Sequence, residues 1–104
     1  QRALVSTGIS MAIPNGFVGL IWDKSGLAAK QGLTALGGVI DSGYRGEIKI
    51  IIYNTNDQDY QIEAGQKIAQ MLIQKIESPQ LVQTTDFDQD TSRGEGGFGS
   101  TGLQ

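Results

Sequence analysis

The clearest hydrophobic pattern lies at residues 47–53. Glu47 and Lys49 alternate with Ile48 and Ile50, and then Ile51 and Ile52 make the run apolar on both faces. A strand reads this way when its far end is covered on both sides. Shorter runs of strand type lie at 4–9, 11–13 and 17–22, divided by turn-forming clusters at Pro14-Asn15-Gly16, Gly37-Gly38, Ser42-Gly43 and 54–57. Many short strands between tight turns predict an all-β sandwich, jelly roll or barrel. Residues 25–32 string helix formers together and close on Gly32, which predicts one or two helical turns. Residues 65–76 fit two patterns. Ile68, Met71, Leu72, Lys75 and Ile76 would share one face of a helix, yet the surrounding β architecture needs a partner, so a strand is predicted there.

From Ser78 onward the chain turns polar, passes acidic Asp86, Asp88 and Asp90, and becomes glycine-rich. The expected division is a β core over 1–77 and a C-terminal arm over 78–104. With 104 residues this is one small domain whose sheet edges need covering, as an oligomer would provide.

Charge and composition narrow the chemistry. A net charge of −3 argues against a nucleic-acid-coating role, although Lys24, Lys67 and Arg93 remain available for a local anion site. No cysteine is present, so there is no disulfide framework and no thiolate metal site, which fits a reducing compartment. No histidine is present either, which removes Ser-His-Asp and Cys-His catalysis. Acid–base work falls to carboxylates, tyrosine or lysine. No apolar run reaches membrane-spanning length, no leader peptide is expected at the start, and no membrane partner is expected.

Three stretches carry candidate chemistry. In the arm, Arg93-Gly94-Glu95-Gly96-Gly97-Phe98-Gly99-Ser100-Thr101-Gly102 joins anion-accessible backbone, hydroxyl donors, a permanent cation and one aromatic face. Lys24-Ser25-Gly26-Leu27-Ala28 reads as a loop-to-helix junction able to cradle phosphate. Residues 37–47 read as a β-hairpin bearing Asp41 and Tyr44. Taken singly, each also reads blandly: a flexible tail, an ordinary helix start, a turn carboxylate beside a strand aromatic.

Their order is specific. Thr7-Gly8-Ile9, Pro14-Asn15-Gly16, Lys24-Ser25-Gly26-Leu27-Ala28, Gly38-Val39-Ile40-Asp41-Ser42-Gly43-Tyr44-Arg45-Gly46-Glu47, Gly65-Gln66-Lys67-Ile68-Ala69-Gln70 and Gly97-Phe98-Gly99-Ser100-Thr101-Gly102 together resemble the trimeric deoxyuridine triphosphatase (dUTPase) family. The resemblance spans essentially the whole chain and matches the second to fifth of the family's five motifs. It implies a jelly-roll-like or distorted-barrel subunit with one short helix and a C-terminal arm, assembled as a homotrimer with shared sites. It also implies hydrolysis of dUTP to dUMP and pyrophosphate by in-line water attack at the α-phosphate. Asp41 matches the aspartate that deprotonates the water, and Tyr44 matches the aromatic packed on the deoxyribose. Backbone groups around Gly38 match those that pair with uracil. Lys24, Ser25, Gly26 and Gln70 match phosphate-contacting positions. Phe98 and Gly99 match the base-covering part of the arm, and Arg93, Ser100 and Thr101 match its γ-phosphate clamp. The implied cofactor is Mg²⁺, held mainly by the triphosphate and water. The implied location is cytoplasmic, or the nucleus or host-cell cytoplasm for a viral or phage source.

Departures from the family pattern are informative. Its first motif, an Ala-Gly-x-Asp-Leu type sequence whose aspartate lies near the metal, would precede Gln1. Lys24 stands where arginine is usual, keeping the charge and losing the planar fork. Asp23 stands where proline is common, and Gly43 replaces a common second aspartate. Two alternatives stay open at this level: a dCTP deaminase, alone or bifunctional, of the same superfamily, and a non-catalytic nucleotide-binding regulator.

Overall fold

The computed structural model describes residues 1–88 and 90–97. Its elements, in chain order, are β1 (Arg2–Ser6), β2 (Phe17–Asp23), α1 (Ser25–Gln31), β3 (Leu33–Leu36), β4 (Val39–Ile40), β5 (Lys49–Asn54) and β6 (Ala69–Lys75). The strands form two three-stranded sheets, ordered β1-β5-β3 and β4-β2-β6, with every pairing antiparallel. The subunit is an all-β, jelly-roll-like fold with one short helix. Among the described residues no helix is long and apolar enough to cross a membrane.

β5 occupies the middle of its sheet because its alternation aims Ile50 and Ile52 inward. These two, with Ile48 and Leu33, make the core cluster, each about 95% buried. Burial of a side chain this size contributes about 1.5–3 kcal/mol. Ile21, Ile40, Ile68 and Met71 close over the cluster from the second sheet side. The outward residue Ile51 stands in a cross-strand row with Leu4 and Leu36, which explains why the run is apolar on both faces. Residues 65–76 do supply a strand: β6 pairs along the full length of β2. The helix also forms where helix formers end in Gly32, whose N–H donates to the carbonyls of Ala28 and Leu27.

Three local expectations change. β3 is a strand that the pattern of Leu33-Thr34-Ala35-Leu36 does not announce; four residues carry too little periodicity, and its ladder with β5 creates it. Residues 11–13 join no strand, though Ile13 is buried at 3% exposure. Residues 37–47 are not a paired hairpin. β4 adds to β2, whereas past Glu47 the chain is drawn to the other sheet, where Ile48 N–H donates to the Ile9 carbonyl at 2.8 Å. The bend at Asp41 therefore crosses between sheets.

Candidate functional site

β2 delivers the chain to Asp23, and Lys24 stands at the entry of α1 in extended conformation, its carbonyl accepting from Ala28 N–H at 3.0 Å. No side chain caps this first turn, so its leading amides have no helical acceptor. Ser25 and Gly26 are exposed and Lys24 is half-buried. Gln70 arrives beside them because β6 pairs it with Trp22, and its Nε2 donates to the Asp23 carbonyl at 2.7 Å. The Asp23 carboxylate in turn accepts from Thr34 Oγ1 at 2.6 Å and from Ala35 N–H at 2.7 Å. Lys24, Ser25, Gly26 and Gln70 thus form one group at the outgoing end of β2.

Gly38, Asp41 and Tyr44 form a second group. Gly38 lies against β2 with φ near 103°, its carbonyl accepting from Ile21 N–H at 2.8 Å. A Cβ there would sit 2.8 Å from the Ile21 carbonyl oxygen, so only glycine permits this approach. After β4 the bend closes on itself. Tyr44 N–H donates to the Asp41 carbonyl at 3.1 Å, and the Tyr44 hydroxyl donates to the Glu47 carbonyl at 2.6 Å. Arg45 Nη1 donates to the carbonyls of Ser42 and Tyr44 at 2.6 and 3.1 Å. The Tyr44 ring lies on the backbone at Gly46, where a Cβ would come within 2.8 Å of the ring carbon bearing the hydroxyl. Asp41 and Tyr44 are both exposed. They line a shallow cavity of about 300 Å³ with Leu4, Val39, Lys49 and Ile51. A larger cavity, about 680 Å³, opens between the sheets against Ile48, Ile50, Ile68 and Met71, with Lys67 and Gln70 also on its lining. Neither Asp41 nor Tyr44 lines it, so the smaller cavity, which joins the two, is taken as the nucleoside candidate.

Within one copy, Gly38 lies at the level of Ile21, but Asp41 stands apart from the Lys24 group. The register pairs Gly19 with Ile40, which places Asp41 toward the incoming end of β2, while Lys24 follows its outgoing end. At strand rise the two levels are roughly 20 Å apart. In the arm, Arg93 Nε donates to the Gly96 carbonyl at 2.6 Å. Phe98, Gly99, Ser100 and Thr101 lie outside the described residues. Among those residues no group of three or more Asp and Glu side chains is placed to hold a metal ion.

Sequence reasoning did not single out the braces. Arg45 ties the bend, Glu47 Oε2 accepts from Gly8 N–H at 2.8 Å, and Asp23 links β2 to β3. The signal for Asp23 was its departure from the usual proline; the other two carried no signal beyond being charged residues beside a turn.

A family model described as dUTPase matches residues 1–102. The deoxyuridine 5′-triphosphate nucleotidohydrolase of Paramecium bursaria Chlorella virus 1 is 52% identical over 102 residues, covering 98% of this chain and 72% of the viral one. That of Mycolicibacterium vanbaalenii is 51% identical, covering 98% and 71%. Among solved structures, Staphylococcus bacteriophage 80alpha dUTPase with dUPNHPP superposes with a TM-score of 0.86 at 32% identity, covering 99% of this chain and 77% of that one. A variant dUTPase from phage phi11 of S. aureus, described for its coordination of a structural Mg(II) ion, gives a TM-score of 0.79 at 30% identity over 85% and 74%.

Proposed function

The chain belongs to the dUTPase family, and we infer that it is a dUTP diphosphatase, cleaving dUTP to dUMP and pyrophosphate. The observation that carries the reading of the site is the shared cavity of Asp41 and Tyr44, a carboxylate and an aromatic ring on one concave surface. Asp41 is assigned as the base because it matches the family aspartate that deprotonates the water, and no histidine competes for the role. Its carboxylate accepts a proton from a water as that oxygen attacks the α-phosphorus. The bond from the α-phosphorus to the bridging oxygen breaks, and pyrophosphate leaves with the electron pair. Tyr44 packs on the deoxyribose, where a 2′-hydroxyl would collide. The Gly38 carbonyl is committed to Ile21, so its N–H and the backbone that follows serve the uracil edge. Cytosine would leave such groups unpaired, which rejects it.

Lys24, Ser25, Gly26 and Gln70 take phosphate oxygens, and Arg93 with Phe98, Gly99, Ser100 and Thr101 closes an arm, residues 78–104, over the nucleotide. Positioning and charge neutralisation supply most of such catalysis. Mg²⁺ would arrive on the triphosphate with its waters and need few protein ligands. When bound, Mg²⁺ neutralises the phosphate charge that develops on the leaving group. The relatives are nucleotidohydrolases by name, and none of those above favours the deaminase alternative.

Groups that serve neighbouring phosphates cannot stand roughly 20 Å apart. This separation supports a site completed by other copies, and the family resemblance implies a homotrimer with shared active sites. Pyrophosphate release from dUTP with Mg²⁺ tests the activity. Asp41→Asn is expected to lower turnover by about 10²–10⁴-fold while a nonhydrolysable analogue still binds; near-parental release would remove Asp41 as the base. Mixing Asp41→Asn with Ser25→Ala chains, dissociated and reassembled, tests the sharing. Hybrid trimers should regain activity above that of either variant alone, and no recovery would place both residues in one subunit's site.

A further inference from the structure

Asp23 sits where three strands meet. It ends β2, its two carboxylate oxygens accept from Thr34 Oγ1 and Ala35 N–H of β3, and its carbonyl oxygen accepts from Gln70 Nε2 of β6. β3 is the edge of its sheet, paired only to β5. The Ala35 N–H points off that edge, and Asp23 satisfies it, which joins the two sheets at this end of the molecule. Bonds to a carboxylate are shorter and stronger than neutral ones, so the clamp is well suited to hold a fixed position.

We propose that Asp23 is a positioning residue of the phosphate half of the site. It holds Lys24, Ser25 and Gly26 against β3 and Gln70, so the ammonium and hydroxyl meet the triphosphate at a set distance. This rests on the reading that those residues take phosphate oxygens. A carboxylate directly before such a group would ordinarily repel the substrate. Here both of its oxygens are turned to β3 and engaged by donors, so the anion acts as a brace. An Asn at this position preserves the brace: its oxygen accepts from Ala35, and its amide donates to the Thr34 hydroxyl, which rotates to accept.

The test compares Asp23→Ala, Asp23→Asn, Thr34→Val and Ser25→Ala in the full chain, by steady-state hydrolysis of dUTP and by inhibition with deoxyuridine, which carries no phosphate. Asp23→Ala is expected to raise KM for dUTP roughly tenfold with kcat changed less, and Thr34→Val to raise it a few-fold. Deoxyuridine inhibition should stay at the parental value in both, and Asp23→Asn should lie within about twofold of the parent throughout. Equal losses for dUTP and deoxyuridine would reduce Asp23 to a general structural role and overturn the proposal, as would an unchanged KM in Asp23→Ala. Ser25→Ala separates the two levels. If it weakens dUTP and Asp23→Ala does not, only the positioning role fails; if Ser25→Ala has no effect, the phosphate reading fails with it. Should Asp23→Ala not fold, Thr34→Val applies the same criterion with one bond removed.

Discussion

The two ends of β2 carry differently built surfaces. At the outgoing end, Lys24 and Ser25 are held by long-range bonds: Asp23 to Thr34 and Ala35, and Gln70 across the ladder. At the other, the Asp41 bend is held mostly by its own residues, through Tyr44, Arg45 and Glu47. The outgoing end, proposed to take phosphate, inherits its geometry from how the sheets pack. The Asp41 bend carries its geometry mostly within residues 41–47, with Glu47 also tied to Gly8 N–H. Damage to packing should therefore reach the phosphate end first, and damage within the bend should change kinetics without unfolding the subunit.

Ile50→Ala is expected to have the largest effect on stability. It empties the centre of the core cluster and should cost about 2–5 kcal/mol, read from urea unfolding. KM for dUTP should rise before kcat falls as the variant approaches its transition; the reverse order would contradict the contrast between the ends. Next comes Gly46→Ala, whose Cβ would displace the Tyr44 ring. About 1–3 kcal/mol should be lost from transition-state binding, seen as a roughly 10–100-fold fall in kcat/KM at nearly unchanged Tm. A large drop in Tm would show that the bend is part of the folding core. Tyr44→Phe removes only the hydroxyl bond to Glu47 and should cost about 0.5–1.5 kcal/mol, a few-fold in kcat/KM. Arg45→Gln should change global stability by no more than about 0.5 kcal/mol, since the residue is exposed. Faster amide exchange confined to residues 41–47 is its expected signature, and faster exchange in β2 as well would mean the bend is not self-contained.

The same division separates what was legible in the residues from what was not. Alternation at Ile48, Ile50 and Ile52 announced the central strand, because the inward positions of a strand repeat every second residue. Helix formers closed by Gly32 announced α1, and the ordered motifs placed Asp41, Tyr44, Ser25 and Gln70 among the candidates. β3 was not legible, since four residues between glycines hold no period. The strand pairing of residues 37–47 was misread because adjacency in sequence suggests a hairpin, whereas the ladder joins β4 to β2. The role of Asp23 was invisible for a related reason: its partners lie 11, 12 and 47 positions away.

Local chemistry, then, was determined by the amino-acid order alone: which stretches alternate, where glycine lets the backbone turn, and which side chains can donate, accept or carry charge. Only the tertiary structure decided which strands share a sheet, that Asp41 and Lys24 stand at opposite ends of one strand, and that the Asp23 carboxylate is turned to β3 as a brace. Those outcomes depend on hydrogen bonds and packing between distant segments, and no short window of residues contains both partners.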